Sequence, residues 1–176
     1  LEAARRKMDP RTFRQEYEAG FENYAGVVYY TFNRDECRTS ERIKPGEALH
    51  IGMDFNVHPM SYVVGVQVGD GCHILEAHEL PVSDTEEVVE HISQRFPGRR
   101  VVVCPDPSGR ARKTSAPVGV TDFTILQRAG FQTDAPNAAP PIVDRINNVQ
   151  GCFGAGRLVV DPKAVRLIRA LDGLVY

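Results

Sequence analysis

Short apolar runs separated by polar turns dominate the chain from residue 48 onward. Runs with the composition of β-strands lie at 48–55, 61–68 and 72–80. Gly69-Asp70-Gly71 supplies a tight turn between the last two. These short connections predict a three-stranded antiparallel meander. A fourth run, "VVVC" at 101–104, is apolar throughout, which is typical of a central strand covered on both faces.

Apolar residues at helical spacing mark the segments that follow the meander. Helices are predicted at 83–96, 121–131, 140–153 and 161–173, and a last strand at 157–160. Ser83 and Glu86 have the spacing of a capping box at the start of the first of these helices. Gly130 is expected to close the second. The order β-β-β-α-β-α-α-β-α indicates an α/β domain built on one mixed sheet.

The first 47 residues have a different pattern. Asp9-Pro10 is a typical helix start and an aromatic stripe at helical spacing follows it, while "VVYYTF" at 27–32 predicts a short strand. A polar connector without periodicity then leads to Glu47. We therefore expect an N-terminal helix, short strand and linker over 1–47, and the folded core over 48–176. The chain does not begin with Met, and we expect it to be a fragment of a longer protein.

Composition and charge narrow the class of function. Lys and Arg total 21 against 23 Asp and Glu, so the net charge of −2 provides no global basic field, and any polyanion site must be local. The four cysteines form no CxxC pair, which argues against structural zinc and fits a reducing, intracellular setting. There is no apolar stretch of membrane-spanning length and no signal-peptide pattern, so no membrane partner is expected.

Two aspartates stand out at the ends of predicted strands. A crossover helix usually lays the next strand parallel to, and beside, an earlier one. If the "VVVC" strand neighbours the first strand, Asp54 and Asp106 meet at the centre of the sheet. Asp54 lies within the apolar run "HIGMDF", where we expect a buried charge that needs compensation. Two converging carboxylates are what a hard divalent cation such as Mg²⁺ requires.

A cluster of basic and hydroxyl side chains follows Asp106. It is expected to hold the phosphates of a nucleic-acid backbone and comprises Arg110, Arg112, Lys113, Thr114 and Ser115. Polar residues close to the aspartates in the sequence are expected to orient the two carboxylates, and these are Asn56, His58 and Ser108.

Structural interpretations of the same residues stay open at this point. Asp106-Pro-Ser-Gly has the composition of an Asx-type turn, and Asp54 taken alone could be a satisfied polar residue at a strand end. The basic cluster could be a solvated loop. The functional interpretation depends on the topology that brings the aspartates together.

The quoted segments also resemble a known family. "IGMDFNVHP" and "VVVCPDPSGRARKTS" are similar to the two metal-ligand strands of the C-terminal nuclease domain of bacteriophage terminase large subunits. "TDFTILQRAGF", "DRINNVQ" and "RLVVDPKAVRLIRAL" resemble the elements that follow. The resemblance implies an RNase H-like fold. Its mixed five-stranded sheet would combine a three-stranded antiparallel meander with two parallel strands, flanked by helices.

This resemblance also implies an activity. It implies a Mg²⁺- or Mn²⁺-dependent endonuclease that hydrolyses concatemeric double-stranded DNA by a two-metal mechanism during viral genome packaging. Asp54 and Asp106 would be the metal ligands, and a third carboxylate is expected from a helix beyond Tyr176. A missing ATPase domain is expected N-terminal to Leu1. The implied partners are the terminase small subunit and the portal of the procapsid, in the cytoplasm of the infected bacterial host.

Two other functions remain open from the sequence. The chain could be a non-catalytic DNA-gripping or docking module of the packaging motor, in which the aspartates only build turns. It could instead be another RNase H-like nuclease of the resolvase or transposase type. A binding module should tolerate neutralisation of Asp54, whereas a metal-dependent nuclease should not.

Overall fold

The computed structural model of the chain describes residues 26–56, 58–112, 114 and 116–175. Its strands are β1 (Leu49–Asp54), β2 (Met60–Val68), β3 (Gly71–Leu80), β4 (Val101–Pro105), β5 (Gln132–Thr133) and β6 (Leu158–Val160). Its helices are α1 (Thr85–Arg95), α2 (Asp122–Arg128), α3 (Ile142–Gly154) and α4 (Val165–Gly173), with a 3-10 turn at Pro107–Arg110. The helix predicted after Asp9-Pro10 lies outside the described residues.

All six strands join one mixed sheet in the order β5-β4-β1-β2-β3-β6. β1 is antiparallel to β2 and parallel to β4, and β4 is parallel to β5. The crossover from β3 through α1 therefore places β4 beside β1, as predicted. The α/β class and the meander are confirmed, but the sheet has six strands instead of five. The extra strand, β5, has only two residues, too few to leave a strand pattern in the sequence.

Alternating burial along β1 shows which face of the sheet is covered. Leu49, Ile51 and Met53 are buried, whereas His50 and Gly52 are half-buried and Asp54 is exposed. The covered face contacts α1, since the hydroxyl of Tyr62, a buried β2 residue, lies 2.7 Å from Nδ1 of His91. Asp54 thus lies at the end of a well-packed strand but on its more open side.

Capping residues set the start of α1 and α2. Asp84, not Ser83, begins α1, because its side chain accepts from the Glu87 amide at 2.9 Å and Glu87 Oε2 accepts from the Asp84 amide at 3.0 Å. The predicted Ser83 capping box was therefore wrong by one residue. Thr121 caps α2 in the same way. Gly130, with a φ of 83°, follows that helix in the left-handed conformation that favours glycine.

The segment 27–32 is not the strand that its apolar run predicted. It forms turns, with only an isolated bridge between Val27 and Val175. Its side chains are buried by other means: the Phe32 ring lies 5.1 Å from that of Phe153, and the Thr31 hydroxyl donates to Gln150 Oε1 at 2.9 Å. The apolar run therefore reports burial of side chains and not an extended backbone.

The chain forms two compact units. One comprises the described residues up to Ser40, residues 68–73 and those from Pro140 onward, and the other comprises residues 41–67 and 74–139. Asp54 and Asp106 both belong to the second unit. The predicted division at residue 47 stays a prediction. Among the described helices, none has the length and apolarity needed to cross a bilayer.

Candidate active site

Asp54 and Asp106 occupy equivalent positions at the ends of two neighbouring parallel strands. Met53 is in register with Pro105, so each aspartate is the next residue along its strand. The Asp106 amide also donates to the Met53 carbonyl at 3.1 Å, which extends the pairing by one bond. Adjacent strands lie about 4.8 Å apart, and residues in register point to the same face. The structure therefore brings the two carboxylates to one edge of the sheet.

Each carboxylate has a polar contact close in sequence. Asn56 Nδ2 donates to Asp54 Oδ2 at 2.5 Å. The Ser108 amide donates to Asp106 Oδ1 at 2.8 Å, so Asp106 also caps the 3-10 turn that follows β4. His58 does not contact either aspartate here, since its Nδ1 lies 3.2 Å from the Pro81 carbonyl. Two of the three predicted orienting residues thus touch the aspartates.

The predicted burial of Asp54 was wrong. Its side chain is exposed because β1 ends at this residue, so water can solvate the charge and no cation is needed to compensate it. Asp106 is half-buried. The argument for a metal site therefore rests on the convergence of the two carboxylates and not on an uncompensated buried charge.

The donor set fits a hard divalent cation. Mg²⁺ in proteins typically binds one or two carboxylates and keeps several waters, which an open strand end allows. Among the residues that the structure describes, no group of three or more His, Cys, Asp or Glu side chains is arranged to hold a metal. Within this part of the chain, the aspartate pair alone would supply the carboxylate ligands.

The basic cluster after Asp106 is only partly free for a ligand. The Arg110 guanidinium donates to the carbonyls of Ala135, at 2.9 Å, and Pro136, and lies 4.3 Å from the centre of the Phe123 ring. Arg112 and Thr114 are exposed. Lys113 and Ser115 lie outside the described residues. Arg110 therefore has a structural role in this loop, and DNA contact by the cluster stays a prediction.

A second polar cluster lies on the helix-covered face of the sheet. Glu76 accepts from Arg95 Nε at 2.5 Å and Nη2 at 2.9 Å, and from His78 at 2.8 Å. The His78 ring stacks on Tyr62 at 4.8 Å and meets His91 edge-on at 5.4 Å. Burial raises the pKa of Glu76, but the hydrogen bonds from Arg95 and His78 outweigh it and hold the pKa below its usual value. This cluster ties β2 and β3 to α1.

Comparisons with known proteins follow the same fold. No protein-family model matches the chain. Among curated proteins, it is similar to the large terminase subunit of Escherichia phage T5, with 24% identity over 187 residues. The similarity covers 98% of this chain and 39% of the T5 protein, so the chain spans well under half the length of this relative.

Solved structures show the similarity in three dimensions. A full-length large terminase from a thermophilic bacteriophage matches with a TM-score of 0.73 at 17% identity, over 99% of this chain and 43% of that one. The large terminase nuclease of thermophilic phage G20c, with bound magnesium, matches with a TM-score of 0.59 at 15% identity, over 88% of this chain and 83% of that one. The chain has the large terminase nuclease fold. The RNase H-like class predicted from the sequence is confirmed.

Sequence analysis missed two residues near the candidate site of this terminase nuclease fold. The Asp134 amide, directly after β5, donates to the Val103 carbonyl at 2.8 Å, which places Asp134 beside Cys104. Partial burial and the Asp134 charge raise the pKa of the Cys104 thiol. The thiol therefore stays protonated at neutral pH and is a poor nucleophile. The short β5 concealed Asp134, and only the pairing with β4 reveals its position.

Proposed function

We propose that this chain is the nuclease domain of a phage large terminase subunit and cleaves double-stranded DNA by metal-dependent phosphodiester hydrolysis. The observation that carries the proposal is the placement of Asp54 and Asp106 at adjacent ends of β1 and β4. Fold similarity to the large terminase nucleases supports it, and the G20c nuclease was solved with bound magnesium. The neutral Cys104 thiol gives no support to a covalent alternative.

Asp54 and Asp106 would hold Mg²⁺ or Mn²⁺, in our proposal at a two-metal site. The bound metal would supply a nucleophilic water at neutral pH and stabilise the leaving oxygen. Asn56 fixes Oδ2 of Asp54, and the Ser108 amide fixes Oδ1 of Asp106. These contacts orient the carboxylates towards the open side of the strand ends, where solvent and a DNA phosphate can enter.

Backbone contacts with DNA would come from the loop that follows the 3-10 turn. Arg112 and Thr114 are exposed, and we propose that they bind phosphates together with Lys113 and Ser115. Such contacts position the duplex without reading its sequence. Arg110 would act indirectly, by fixing the base of the loop on the carbonyls of residues 135 and 136.

The wider assembly is also part of the proposal. The T5 relative is much longer than this chain, which covers 39% of it. We propose that an ATPase domain belongs to the same protein, that the small subunit and the portal are its partners, and that concatemeric phage DNA in the host cytoplasm is its substrate. A third metal-binding carboxylate from a further helix would complete the site.

A DNA-gripping module is the second candidate, and one observation favours it. Asp106 caps its own 3-10 turn through the Ser108 amide, which is the structural role that this candidate assigns to it. Such a module would bind DNA through the loop of Arg112 and Thr114, and would not need a metal.

A plasmid-cleavage assay separates the two candidates. Supercoiled plasmid is incubated with the chain in Mg²⁺, Mn²⁺ or EDTA, alongside Asp54→Asn, Asp106→Asn and the control Asp70→Asn, an exposed residue in the β2–β3 turn. We expect metal-dependent nicking that falls by about 100-fold or more in both site variants, since losing metal catalysis removes several kcal/mol of transition-state stabilisation. The control should cleave normally.

The same assay can reject the proposal. Cleavage that persists in EDTA, or that is equally fast in Asp54→Asn and the parent chain, contradicts a metal-dependent site at this pair. Plasmid binding without cleavage in either metal, also in a longer chain that includes the segment after Tyr176, favours the gripping module.

A further inference from the structure

Gly109 lies in the 3-10 turn directly after Asp106, and its surroundings leave no room for a side chain. The residue is buried. A Cβ built at this position would meet three carbons of the Phe55 ring, with Cδ2 at 2.8 Å and Cζ at 2.9 Å. Carbon atoms in contact normally lie about 3.7 Å apart. The Phe55 ring therefore rests directly on the backbone of the turn that carries Asp106.

Phe55 belongs to the other half of the candidate site. It follows Asp54 in the sequence, and its ring lies 6.5 Å from that of Phe123 in α2. The Arg110 guanidinium covers the Phe123 ring at 4.3 Å. An aromatic stack therefore connects the segment after Asp54 to the turn after Asp106, on the side of the sheet that α2 covers.

β-sheet pairing alone does not hold these two segments together. The Asp106 amide makes the last bond between them, to the Met53 carbonyl at 3.1 Å, and beyond it the chains diverge into a loop and a 3-10 turn. Past this bond, the Phe55–Gly109 contact is the packing that joins the residue after Asp54 to the turn after Asp106.

We infer that Phe55 and Gly109 are positioning residues that set the separation of the Asp54 and Asp106 carboxylates. The inference rests on the proposed function, because the separation matters for a shared cation. A Cβ at residue 109 needs about 1 Å of additional space to reach ordinary contact with the ring. Metal–ligand distances tolerate only about 0.2 Å, so a shift of this size disrupts shared coordination.

Four chains test the inference: the parent, Gly109→Ala, Phe55→Leu and the double variant. Gly151→Ala serves as the control, because a Cβ at residue 151 meets nothing within 4 Å. Two readouts are used. Hydrogen exchange of the Asp106 and Ser108 amides, measured without metal, reports whether the turn stays on β1. Titration with Mn²⁺ reports the affinity of the carboxylate pair, and Asp54→Asn shows which binding belongs to this site.

Gly109→Ala is expected to exchange both amides faster and to bind Mn²⁺ about tenfold or more weakly, the usual range for residues that orient metal ligands. Phe55→Leu should have a smaller effect. The double variant should recover part of the lost affinity, because leucine lacks the ring carbons that meet the new Cβ. Gly151→Ala should match the parent in both readouts.

Either readout can overturn the inference. Unchanged amide exchange in folded Gly109→Ala shows that the turn does not need the contact. Faster exchange with parental Mn²⁺ affinity shows that the contact does not position the carboxylates. If the parent binds no Mn²⁺, the proposed function is contradicted separately, and amide exchange still decides whether the Phe55–Gly109 contact holds the turn.

Discussion

The hydrogen bond between Thr85 and Asp122 connects the first turns of α1 and α2 beneath the candidate site. Thr85 Oγ1 donates to Asp122 Oδ1 at 2.7 Å, and the two residues are only 4% and 6% exposed. Thr85→Val keeps the shape of the side chain and removes the donor. The buried carboxylate then loses a partner that water cannot readily replace.

The expected cost follows from this geometry. A hydrogen bond to a charged group contributes about 1.5–3 kcal/mol, and burial on both sides places this one in the middle of that range. The position of Asp122 in the first turn of α2 is kept, so its favourable interaction with the helix dipole remains. We therefore expect Thr85→Val to lower the free energy of unfolding by about 2 kcal/mol, or Tm by about 4–8 °C.

A double-mutant cycle isolates this bond. Urea denaturation of the parent, Thr85→Val, Asp122→Ala and the double variant is followed by far-UV circular dichroism at neutral pH. The coupling energy should be about 1–3 kcal/mol, because removing both partners leaves no buried carboxylate unsatisfied. A loss below about 0.5 kcal/mol in Thr85→Val, or additive single changes, would refute the reasoning.

Two further predictions concern the stability of other parts of the fold. Burial, together with the nearby charges of His78 and Arg95, lowers the pKa of His91 despite the opposing charge of Glu76, so the folded state binds this proton less well than the unfolded state. The stabilising contribution of neutral His91 is therefore present above the unfolded pKa of about 6.5 and is lost as pH falls towards its lower folded pKa. Urea midpoints at about pH 7.5 and pH 5.5 should show a smaller difference in His91→Asn than in the parent, and equal differences would contradict this. Gly151→Ala in the interior of α3 should raise the free energy of unfolding by about 0.5–1 kcal/mol, since alanine loses less backbone entropy and meets open space; a lower urea midpoint would show that the site does not accept a Cβ.

Local signals in the sequence predicted most of the elements. The alternating and continuous apolar runs marked β1 to β4 and β6, and helical spacing marked all four helices, because both patterns follow directly from which side chains must be buried. Errors occurred where burial and backbone conformation separate. The run at 27–32 is buried through Phe32 and Thr31 but folds as turns. The cap of α1 moved from Ser83 to Asp84 because either side chain could have accepted the bond.

The candidate site depended on both levels. Asp54 and Asp106 were identifiable from the sequence because each follows an apolar strand, and the crossover rule placed those strands together. The exposure of Asp54 could not be predicted, because it depends on where β1 ends and on what covers that edge. The engagement of Arg110 with Phe123 and residues 135 and 136 also escaped the sequence, since its partners are more than ten residues away.

The sequence by itself determined the class of fold, the order of the elements and the two acidic strand ends, because apolar periodicity and turn residues act over a few neighbouring positions. Only the tertiary structure decided the register of Met53 with Pro105, the role of β5 and the contact of Phe55 with Gly109. These features join residues far apart in the chain. They arise from packing and strand pairing in the folded state, which no local pattern records.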